Sequence, residues 1–72
     1  MTNSELLKKA IEESGLLKSA ILERMGIKSY ATLRAKIENE SEFTASEMNK
    51  LGEILNLSAD QREAIFFAKN AE

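Results

Sequence analysis

Apolar residues recur along this chain at helical spacing, in five stretches separated by glycine, asparagine and small polar residues. In the first, Leu6, Leu7, Ala10 and Ile11 form one stripe, while Lys8, Lys9, Glu12 and Glu13 fall on the opposite side. That pattern predicts an amphipathic helix over about Asn3–Ser14. Thr2 and Glu5 stand at capping-box spacing before it, and Gly15 is placed to end it. The second stretch puts Ile21, Leu22 and Met25 on one face, and Gly26 follows at once, which predicts a short helix over about 18–25. Ser29 then offers a side-chain oxygen to the free amides of a third helix, about 29–39, with Tyr30, Leu33 and Ile37 inward. The opposite face of that helix holds Lys28, Ala31, Thr32, Ala35 and Asn39, flanked by Arg34, Lys36 and Glu38.

An acidic connection with Glu38, Glu40 and Glu42 leads to the fourth helix. Thr44 and Glu47 form its capping box, and Phe43 with Met48 sits where a hydrophobic staple belongs. Met48, Leu51, Ile54 and Leu55 make its core face, Asn56 suits a left-handed C-terminal position, and Leu57 is the contact after it. Ser58 and Gln61 open the fifth helix with another capping box. Ile65, Phe66 and Phe67 follow in a row, more than one narrow stripe buries, so either the helix is nearly surrounded, or Ile65 and one Phe belong to the core and the other Phe is left for a partner. Proline is absent throughout, and no stretch reads as a strand. The expected fold class is all-α: one compact five-helix domain over residues 1–72.

Residues 18–39 are the distinctive part. A short helix, a glycine-containing turn and a second helix form the helix-turn-helix unit. Charge separates this stretch from the rest. Five cations (Lys18, Arg24, Lys28, Arg34 and Lys36) against Glu23 alone leave a net +4 over residues 18–36. The whole chain is −2, so everything outside sums to −6. Over residues 37–63, Lys50 and Arg62 stand against seven carboxylates, a net −5. A basic patch on an acidic body is the electrostatic form of a phosphate-facing surface. It is also the form of a solvated helical face in a chain that is 31% charged.

Other chemistry is sparse. Without cysteine or histidine there is no thiolate or imidazole to hold a transition metal, and no disulfide framework. No nucleophile–base pair or phosphate-cradling glycine loop occurs, so the expectation is a protein without enzymatic activity or cofactor. The N-terminal residues do not read as a signal peptide and no apolar run approaches a membrane span. A reducing cytoplasm is the expected location.

The segments K-S-A-I-L-E-R-M-G and S-Y-A-T-L-R-A-K-I-E-N, followed by S-E-F-T-A-S-E and the L-N-L-S…I-F-F-A ending, resemble the Cro/XRE-type helix-turn-helix regulators of temperate phages. The resemblance covers nearly the whole chain and implies a lambda-repressor-like, or Cro-like, fold. Within that group the chain looks most similar to the small modulator-of-repression proteins, anti-repressors of phages from Gram-positive hosts. The resemblance then implies a partner, the DNA-binding domain of the phage repressor, and a role in the lytic–lysogenic switch. It places a phosphate contact on Lys18 and base-reading positions on Tyr30, Ala31, Thr32 and Ala35, with Arg34 and Lys36 beside them; Lys28 and Ser29, at the start of the same helix, complete the expected partner- or DNA-binding set. Glu38, Glu40 and Glu42 form an acidic surface suited to a basic partner. Three features depart from the pattern: Leu17 at the cap of the first motif helix, Leu22 where the motif helices cross, and a longer turn from Gly26 to Ser29. The alternative is an autonomous Cro-like repressor that binds operator DNA by itself.

Overall fold

Helices start where a side-chain oxygen can meet unpaired amides, and four of the five among the described residues do so. The computed structural model describes residues 1–67 and contains α1 (Ser4–Ser14), α2 (Lys18–Met25), α3 (Tyr30–Ile37), α4 (Ala45–Ile54) and α5 (Ala59–Phe66). Residues 68–72, including Ala68 of the I-F-F-A ending, lie outside the described residues. Ser29 Oγ accepts from the Ala31 N–H at 3.1 Å, and Thr44 with Glu47 and Ser58 with Gln61 close reciprocal capping boxes. The box expected from Thr2 and Glu5 does not form. Asn3 caps α1 instead, its Oδ1 accepting from Leu6 N–H, because the helix begins at Ser4 rather than Asn3. Only α2 starts without a side-chain cap, at Leu17.

The C-terminal ends follow one pattern. Gly26, Asn39 and Asn56 all take left-handed backbone conformations. In each case the next amide reaches back to a carbonyl one turn and a half earlier: Ile27 to Leu22, Glu40 to Ala35, Leu57 to Gly52. After α1 the same bond is relayed through a hydroxyl, since Leu16 N–H donates to Ser14 Oγ, which donates to the Ile11 carbonyl.

With the ends fixed, α2 packs against α3 and α4, α1 against α3 and α5, and α4 against α5. The core they enclose is Leu7 from α1, Ile21 and Met25 from α2, Leu33 and Ile37 from α3, Phe43, Leu51 and Leu55 around α4, and Ile65 with Phe66 from α5. Phe43 and Phe66 meet edge to face with ring centroids 5.5 Å apart. The radius of gyration of 11.3 Å is close to the ~11 Å of a compact chain this long. Phe66 is the buried phenylalanine and Phe67 the exposed one. No described helix is long and apolar enough to cross a membrane.

Three burial expectations need correction. Leu6 is exposed, because the stripe runs through Leu7, Ala10 and Ile11, and Leu6 lies 100° off it. Tyr30 is 37% exposed at the start of α3 rather than inward. Asn39 is not on the outward face of α3, which ends at Ile37. Its Oδ1 accepts from the Thr2 N–H and its Nδ2 donates to the Thr2 carbonyl, both at 2.9 Å, so one amide side chain clasps the N-terminal backbone. The Ser4 hydroxyl donates to the Ile37 carbonyl, and Asn3 N–H donates to Ile65 O, sewing the chain start between α3 and α5.

Asn39 therefore serves two ends at once. Asn39→Ala removes both clasp bonds, at ~1 kcal/mol each, and places an alanine at φ 67°, which adds ~1 kcal/mol. The expected cost is ~2–4 kcal/mol in a urea melt. Asn39→Gly keeps the backbone freedom and loses only the clasp, so about two-thirds of that cost is expected. An alanine variant within ~0.5 kcal/mol of wild type would contradict this.

Candidate interaction face on α3

The first turn of α3 is oriented by Ser29, whose cap leaves Ala31 and Thr32 facing solvent while Leu33 turns into the core. Lys28 and Arg34 are exposed on either side of that pair. Ala35 is half-buried rather than fully outward, so the exposed strip is shorter than the periodicity implies and centres on Ala31 and Thr32.

Lys36 was expected at the outward edge of this face, and the structure uses it differently. Its side chain is only 14% exposed, with Nζ 3.2 Å from Glu47 Oε1 and donating to the Glu42 carbonyl at 3.0 Å. Lys36 thereby ties α3 to the start of α4, and Glu47 Oε1 also accepts from the Thr44 N–H. Burial raises the pKa of Glu47, but the bonds from Thr44 and Lys36 outweigh it and hold the carboxyl below its ordinary value.

Glu38 is also committed. It pairs with Lys8 of α1 at 2.7 Å, and that hydrogen bond, with smaller help from Arg34, lowers its pKa. Of the three carboxylates expected to form an acidic partner surface, Glu40 and Glu42 are exposed, and Glu38 is half-buried in a bridge between α1 and α3.

Beside this face an open groove of about 890 Å³ runs between α1 and α3. Ile11, Leu16 and Ile37 form its apolar part, and Tyr30, Lys18 and Arg34 stand along one side. Lys18 Nζ lies 4.8 Å from the centroid of the Tyr30 ring, a cation–π contact joining the start of α2 to the start of α3. Leu22 and Ile27, either side of the α2–α3 turn, are half-buried against the core.

The structure thus brings Lys18 and Tyr30 together, keeps Lys28, Ala31, Thr32 and Arg34 on an accessible face, and withdraws Lys36 and Glu38 into ion pairs. Sequence reasoning missed the Lys36–Glu47 pair, which spans two helices, and the clasp made by Asn39. The second had a readable signal, since an asparagine just past a helix was recognised at Asn56 by the same criterion. Comparison with protein-family models, characterised proteins and solved structures finds no match to this chain.

Proposed function

We propose that this protein is a small transcriptional regulator on a helix-turn-helix scaffold, with α2 and α3 as the motif helices. Its partner is the DNA-binding domain of a phage repressor, and it works as an anti-repressor, or modulator of repression, in the cytoplasm of the host bacterium. The observation that carries this reading is the make-up of the α3 face. A helix that reads base edges presents long bidentate donors, chiefly arginine, asparagine or glutamine. This one presents Ala31 and Thr32 at its centre and Arg34 as its one exposed long donor, with Lys36 drawn away to Glu47 and with Glu40 and Glu42 exposed just past its end. Small side chains let another protein surface approach closely, and exposed carboxylates attract a basic one. A repressor's DNA-contacting surface is basic.

A second reading, autonomous operator binding, is favoured by the exposed Lys18, Arg24, Lys28 and Arg34 on α2, α3 and their connection. A salt titration with operator DNA separates the two. A protein gripping several phosphates loses affinity with salt at a slope of about −0.9 per phosphate in a log–log plot. Binding in the micromolar range or weaker at physiological salt is expected for the protein alone, with firm binding to the purified repressor domain. A nanomolar complex with operator DNA alone would reverse the ranking.

A further inference from the structure

Glu47 has two duties in this fold, and only one of them needs its charge. Its Oε1 accepts from the Thr44 N–H in the capping box of α4 and lies 3.2 Å from Lys36 Nζ. The box at the start of α5 closes with the neutral amide of Gln61 in the same place. The negative charge at position 47 is therefore surplus to capping, and the cation it meets is Lys36.

Helix geometry says what Lys36 would do without that charge. It stands one turn after the exposed Thr32, about 40° further around the axis, on the edge of the Ala31–Thr32 strip opposite Arg34. Released, its long stem would carry the ammonium into solvent beside the strip and put a free cation on both edges. Paired with Glu47 and donating to the Glu42 carbonyl, Lys36 leaves its edge without one. Among the described residues, Lys18, Arg24, Lys28 and Arg34 have no carboxylate within ion-pair distance, so Lys36 is the one cation of residues 18–36 that the fold neutralises. A polyanion gains affinity with every phosphate that meets a free cation, whereas a basic protein surface loses affinity with each one.

We propose that Glu47 is the positioning residue that sets the specificity of the α3 face: by holding Lys36 it disfavours nucleic acid there and favours a basic protein surface. Glu47 acts through Lys36 and touches neither partner. The choice of a basic protein rests on the reading that the partner is a repressor domain; the restraint on nucleic acid does not.

Glu47→Gln tests it, because glutamine keeps the cap and drops the charge, so its effects on the two kinds of partner have opposite signs. Binding to a labelled DNA duplex of random sequence is measured across salt concentrations, with circular dichroism confirming the helices. The variant is expected to bind roughly five- to tenfold more tightly than wild type at about 0.1 M salt, with a log–log slope steeper by about 0.9, one phosphate. Glu53→Gln, an exposed carboxylate on the same helix, makes the same change in net charge and is expected to keep the wild-type slope. Adding Lys36→Gln to Glu47→Gln is expected to restore that slope. Without any change at Glu47, Lys36→Gln is expected to leave the slope as it is, while Arg34→Gln makes it shallower by about 0.9. Against the purified repressor domain, Glu47→Gln is expected to bind about threefold more weakly. An unchanged slope in Glu47→Gln, a gain shared by Glu53→Gln, a gain that survives the loss of Lys36, or undiminished repressor binding would each overturn the proposal. Failure of the wild-type protein to bind the repressor domain would overturn the functional reading and the partner choice with it; the DNA titration, which needs no repressor, judges the restraint on Lys36 separately.

Discussion

Leu33→Ala is expected to destabilise the protein by ~2–5 kcal/mol in equilibrium urea unfolding. Leu33 is 1% exposed and sits mid-way along α3, the helix that packs against both α1 and α2. Removing its branched end forfeits the burial of those methyl groups and leaves a cavity that neighbouring helices close only in part. A 72-residue domain has roughly 4–11 kcal/mol of stability in all, so the loss is a large fraction of the total. Arg34→Ala, one position along and exposed, is the phase control, expected within ~0.5 kcal/mol of wild type. A Leu33→Ala change below ~0.5 kcal/mol would mean that α3 presents a different face to the core.

The second large effect is on binding. Ala31→Arg is expected to weaken the complex with the repressor domain by ~2–4 kcal/mol while leaving the fold close to wild type. Ala31 is the exposed centre of the small strip, so an arginine there meets no neighbour in the free protein. Its charge near the start of α3 opposes the helix dipole by only a few tenths of a kcal/mol to ~1 kcal/mol. In the complex it inserts bulk where close approach is required and a like charge against a basic partner. The same substitution is expected to strengthen any contact with DNA, so its sign separates the two functional readings. Ala35→Glu probes the same surface less cleanly, because Ala35 is half-buried and the new carboxylate would strain the fold as well.

What the sequence made legible was mostly local. Ser29, Thr44–Glu47 and Ser58–Gln61 cap helices because their bonds join residues two or three apart, within reach of a spacing rule. Leu33, Ile37, Leu51 and Ile65 were placed correctly in the core by periodicity over a single turn or two. What escaped was decided across elements. Thr2 is not a cap because α1 begins at Ser4 and Asn3 takes the cap, while the Thr2 backbone is clasped by Asn39, 37 residues away. Lys36 leaves the outward face because Glu47 and the Glu42 carbonyl, on the approach to α4, offer it a better site than water. Leu6 and Leu7 are indistinguishable by composition, and the stripe the core uses, through Leu7, Ala10 and Ile11, leaves Leu6 exposed. At the candidate face, the identities of the outward residues were readable, whereas the loss of Lys36 and Glu38 from the available charge was not.

Calorimetric titration of the purified repressor DNA-binding domain with this protein, wild type and Ala31→Arg side by side, tests the functional claim most directly. The expected result is a saturable complex with wild type and a much weaker one with the folded arginine variant, circular dichroism confirming its helices. No heat with wild type at high micromolar concentration, or equal affinity for the two proteins, would contradict it.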